Sequence, residues 1–80
     1  MTKNRIQLVE IIGDIIYLNG WKQKEAAKAL NITQGAVSDL VNGKYAKFSV
    51  GALLKFLHLL GWKVNFKYKD GIFSARAEAV

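Results

Sequence analysis

Gly20, Asn31, the pair Asn42 and Gly43, and Gly61 divide this chain into four helix-length segments. Each division uses a residue type that tolerates positive φ, the backbone state in which helices commonly end. Between the divisions the apolar residues recur at helical spacing. In residues 3–19, Leu8, Ile12, Ile15 and Ile16 fall at i, i+4, i+7 and i+8, with Ile6 and Val9 on the flank. Lys3, Gln7, Glu10 and Asp14 form the polar face of that helix. Residues 22–30 make a second, shorter helix with Ala26, Ala27 and Leu30 facing inward. Thr33 suits the N-cap of a third helix running to about Val41, its hydroxyl accepting an exposed amide. Ser49 suits the N-cap of a fourth, with Phe48 placed to staple onto Leu53.

After Gly61 the period changes. Trp62, Val64, Phe66 and Tyr68 alternate with Lys63, Asn65, Lys67 and Lys69, the two-residue period of a half-buried strand. Asp70 and Gly71 signal a turn, and Ile72, Phe73 and Ser74 a short return strand. A lone hairpin is marginal in water, so this one must pack on the helices or meet another chain. Residues 75–80 are small and polar enough to be a flexible tail. The expectation is a mainly α domain over 1–61, extended by a strand or hairpin over 62–74.

With 80 residues, 51% of them apolar, one small monomer has difficulty hiding its hydrophobic surface. The fourth helix carries Leu53, Leu54, Phe56, Leu57, Leu59 and Leu60 around most of its circumference, so one face should meet the core and another a partner. A homodimer interface is therefore expected at Phe56, Leu59, Trp62, Val64, Phe66 and Tyr68. Trp21 and Trp62 are most simply core residues.

Other classes find little support. There is no cysteine, hence no disulfide framework or thiolate metal site, and a cytoplasmic location is compatible. His58 stands alone on an apolar helix and has no second histidine to share a metal, so a packed or interface position explains it best. Charged Glu10 and Asp14 interrupt the first apolar run, so neither a signal peptide nor a membrane span is expected. No nucleophile–base pair, metal-ligand spacing or phosphate-cradling loop is present, so neither catalysis nor a cofactor is expected. The formal charge of +6 fits either ordinary solubility or attraction to a polyanion.

The second and third helices decide between those two. A short helix, a tight turn and a second short helix make a helix-turn-helix. Small Ala27 falls where two helices cross closely, Leu30 and Ile32 flank the turn, and Val37 and Leu40 point the third helix inward. Gln34, Gly35, Ser38 and Asp39 are left facing outward near a helix N-terminus, whose free amides and partial positive charge suit phosphate or base edges.

The run WKQKEAAKALNITQGAVSDLVNGK resembles the DNA-binding core of the Xre/Cro family of small repressors, whose fold is lambda-repressor-like. Extended through FSVGALLKFLHLLGWKV, the resemblance is closer to HigA-type antitoxins and covers about residues 5 to 66. It implies a homodimeric transcriptional regulator on a double-stranded DNA operator. Gln34, Gly35, Ser38 and Asp39 would read bases. Lys22, Gln23, Lys24, Thr33, Asn42, Gly43, Lys44, Tyr45 and Lys47 would meet the phosphate backbone. It also implies a toxin partner, a ribonuclease of the RelE type. A phage or mobile-element repressor without a toxin, and a protein-interaction module that has lost DNA binding, are the alternatives. Two positions depart from the family pattern: Lys22 stands where Ser or Thr caps the second helix, and Asn31 replaces the commoner turn glycine. Asp39 adds a carboxylate that repels phosphate unless it accepts from a cytosine amino group.

Overall fold

The computed structural model describes residues 2–79 as helices α1 (Thr2–Leu18), α2 (Gln23–Leu30), α3 (Gln34–Val41) and α4 (Val50–Leu59), followed by strands β1 (Trp62–Lys69) and β2 (Ile72–Ala79). A 3-10 turn, Tyr45–Lys47, links α3 to α4. The fold is mainly α, as the apolar spacing requires. Leu8, Val9, Ile12, Ile15 and Ile16 of α1 are buried, and they meet Ala26, Ala27 and Leu30 of α2, Val37 and Leu40 of α3, and Leu53, Phe56 and Leu57 of α4. Trp21, Ile32, Tyr45, Phe48 and Trp62 are partly buried at its edge.

The helix ends follow from local chemistry. Gly20, at φ 66°, closes α1: its N–H donates to Tyr17 O at 3.0 Å and that of Trp21 donates to Ile16 O at 3.4 Å. Asn31 takes the same left-handed state at φ 57°, and the Ile32 N–H donates to Ala27 O at 3.0 Å. Lys22 has no lone pair with which to cap α2. Instead its own N–H donates to Glu25 Oε1 at 3.1 Å, so only the reverse half of a capping box is made. Thr33 and Ser49 cap α3 and α4, their hydroxyls accepting from Ala36 N and Ala52 N, both at 3.1 Å.

β1 and β2 pair antiparallel from Trp62 opposite Ala79 to Lys69 opposite Ile72. Asp70 and Gly71, at φ 53° and 77°, form the two-residue loop, and positive φ at both matches the twist of a hairpin. β1 packs on α4 and β2 on α1. The return strand does not stop at Ser74. Residues 75–79, expected to be a mobile tail, continue it, because eight residues of β1 present backbone groups that need partners. In backbone register, Ala75, Ala77 and Ala79 lie opposite Phe66, Val64 and Trp62. Val80, the last residue of that expected tail, lies outside the described residues.

Two expectations for α4 change. Phe56 is only 7% exposed and meets Phe48 edge-on at 6.0 Å between ring centroids, so it belongs to the core of one protomer and has no face for a partner. Neighbouring α1, α2 and β1 cover most of the leucine-rich circumference, leaving Leu59 as its one large exposed apolar side chain among the described residues. His58 is exposed beside it, which excludes the packed position of the two expected for it. Trp62 is half-buried and Tyr68 exposed, whereas the side chains of Val64 and Phe66 lie outside the described residues.

Candidate nucleic-acid interface

Only Asn31, Ile32 and Thr33 separate α2 from α3. With Ile32 packed against the core and Val37 and Leu40 fully inside, α3 is fixed in rotation, and its first turn points outward. Gln34 and Gly35 are exposed there. The Thr33 hydroxyl takes the amide of Ala36, which leaves those of Gln34 and Gly35 as the outward donors of this helix end. A Cβ built on Gly35 would find only Thr33 Oγ1, at 3.8 Å, an ordinary contact. Nothing in the fold therefore requires glycine at this position.

The exit of α3 is built with equal definition. Gly43, at φ 72°, donates to Leu40 O at 3.1 Å, and the Lys44 N–H donates to Asp39 O at 2.9 Å. That double bond pattern turns the chain sharply and brings Lys44 and Lys47 back over the helix. Asn42 Nδ2 donates to Ser38 O at 2.9 Å and to Ser38 Oγ at 3.3 Å. The Asp39 carboxylate lies 3.6 Å from Lys44 Nζ and 3.4 Å from Lys47 Nζ.

The four expected base-reading residues therefore split into two pairs. Gln34 and Gly35 are free and exposed, whereas half-buried Ser38 is engaged by Asn42 and half-buried Asp39 by two lysines. Lys22, Gln23 and Lys24 are exposed at the start of α2, Thr33 at the start of α3, and Asn42, Gly43, Lys44 and Lys47 at its exit. Tyr45 is half-buried, with the Arg5 guanidinium 5.9 Å from its ring centroid. Arg5 was invisible as a member of this surface, since it lies forty residues away in sequence and only the packing of α1 on the 3-10 turn delivers it.

Against known families, residues 2–69 match the model of a helix-turn-helix domain. The chain belongs to that family. No individual curated protein matches it closely enough to count as a relative. A helix-turn-helix domain implies DNA as its partner, and α2 and α3 are the two helices of the motif here. Among the described residues this helix-turn-helix domain holds no cluster of histidine or acidic side chains suited to a metal, and no helix long and apolar enough to cross a membrane.

Proposed function

We propose that the protein is a homodimeric, sequence-specific repressor that lays the first turn of α3 against base edges. The observation that carries this reading is the pairing of exposed Gln34 with Gly35, a glycine the fold itself does not need. Glutamine can bond bidentately to adenine, and a missing side chain admits a thymine methyl or a close backbone approach. Lys22, Lys24, Lys44, Lys47 and Arg5 supply the sequence-independent attraction to phosphate. Thr33, Gln23, Asn42, Gly43 and Tyr45 fix the register on the backbone. Ser38 and Asp39 contribute to base readout only by releasing the partners they hold in the free protein.

Two copies on a palindromic operator would place their α3 helices about 34 Å apart. Leu59, Trp62 and Tyr68, with Val64 and Phe66 of the same strand, remain the candidate dimer residues after Phe56 is withdrawn. Titrating the protein against its own promoter at several salt concentrations tests the reading: specific binding with a steep salt slope supports it, and no binding at low salt would sink it. Gln34→Ala should cost about 1–3 kcal/mol and relax base preference, whereas Lys44→Ala should weaken all sequences about equally.

The finer reading is an antitoxin in the cytoplasm that represses its own operon and neutralises a RelE-like ribonuclease. It is supported by the resemblance of residues 5–66 to HigA-type antitoxins. Co-expression with the product of the adjacent gene decides it: a stable complex that abolishes ribonuclease activity is the expected result, and no complex refutes it.

A further inference from the structure

Most of the exposed large apolar side chains among the described residues gather at two places. Tyr17, 83% exposed, and Val41, 44% exposed, line a groove of about 490 Å³ between α1 and the exit of α3. Tyr68 and Ile72, 73% and 69% exposed, sit beside the turn of the hairpin. Each place carries its own sign of charge. Glu10 and Asp14 line the groove, one helical turn apart, with no ion pair among the described residues. Two like charges at that spacing oppose helix formation, and the helix gains nothing from them. Lys67 and Lys69 flank Tyr68 at the hairpin tip, where Asp70, in the loop itself, is the one acid. Gly13 lies between the two groove acids, and no atom comes within 4 Å of where its Cβ would be, so the groove floor is left open by a residue that α1 would rather exchange for alanine.

Tip and groove do not cover one another within a protomer, since both remain exposed. A second copy supplies to each what it lacks. We propose that the hairpin tip of one copy docks in the α1–α3 groove of another, Lys67 and Lys69 meeting Glu10 and Asp14 while Ile72, paired with Lys69 on the same face of the hairpin, covers Tyr17 and Val41. The inference rests on the homodimer reading above and deepens it. Eight residues of β1 reach about 26 Å, enough to carry the tip away from the helices in a molecule 41 Å long. Exchange in both directions closes under a two-fold axis. Gly43 lines the groove and also belongs to the loop presenting Lys44, so the docked tip touches the surface proposed to grip phosphate.

Charge exchange tests the pairing by light scattering across concentration. Glu10→Lys with Asp14→Lys should weaken dimerisation by roughly tenfold or more, and Lys67→Glu with Lys69→Glu should do the same. Mixing the two variants should restore a heterodimer, because both reciprocal contacts then join opposite charges. Gly13→Leu fills the groove while favouring the helix, so it should also yield monomer with an intact circular dichroism spectrum. If each charge variant dimerised as the wild type does, tip docking would be overturned and the dimer reading would stand. A wild type that stays monomeric both free and on operator DNA would overturn both.

Discussion

Gly35 lies in the first turn of α3 with room for a methyl group beside it. Gly35→Ala should therefore stabilise the fold by about 0.5–1 kcal/mol, since glycine gives up more backbone freedom than alanine on folding. Operator affinity should fall in the same variant. Chemical denaturation and a binding titration on one preparation read both, and a variant that is more stable and binds unchanged would remove the functional reason for the glycine. Gln7 poses the opposite case. Its Oε1 is buried with no hydrogen-bond partner among the described residues, although the helical pattern puts this residue on the polar face of α1. An unsatisfied oxygen of that kind costs about 1–3 kcal/mol, so Gln7→Met should raise stability by roughly 1 kcal/mol in thermal or urea melts. Alternation patterns assign a residue to a face, but they do not say how far a neighbouring element overhangs it.

Helix limits were legible because their signals are local. Gly20, Asn31, Gly43 and Gly61 take the left-handed state, and Thr33 and Ser49 accept the amides an N-cap is placed to accept. Lys22 marked a missing cap correctly, yet the compensating bond to Glu25 is a matter of rotamer and needed coordinates. Lys22→Ser would complete the capping box and should add about 0.5–1 kcal/mol, whereas Glu25→Ala should cost a similar amount. Urea midpoints of the two variants, moving in opposite directions, check this. β2 runs five residues beyond what the sequence pattern predicts because alanine has little strand preference, and the unpaired length of β1 determines where its partner ends. The exposed face of α4 is narrower than its leucine content predicts for a related reason. A leucine count records how apolar a helix is, whereas its depth depends on what is packed around it.

For the whole molecule, the helix-turn-helix scaffold and the exposed start of α3 could be argued from Ala27, Leu30, Val37 and Leu40, whose spacing dictates which way each helix turns. What lay beyond reach was the cross-linking of the surface by side chains: Arg5 on Tyr45, Asn42 on Ser38, and Lys44 and Lys47 on Asp39. The last of these bears on how binding would respond to electrolyte. Asp39 holds, in the free protein, the two lysines that on the proposed reading would grip phosphate, so both would come to DNA already partly neutralised. Phosphate then replaces a carboxylate, and the gain is smaller than that of a bare cation displacing condensed counterions. The slope of log affinity against log salt should be shallower than about 0.9 per phosphate-contacting lysine, the value for full release. Asp39→Asn should steepen it and tighten non-specific binding, which a salt series on random-sequence duplex would read directly. On the proposed function, a regulator wired this way would spend less time held on the wrong stretches of the chromosome, because its grip would be tempered before it meets any DNA.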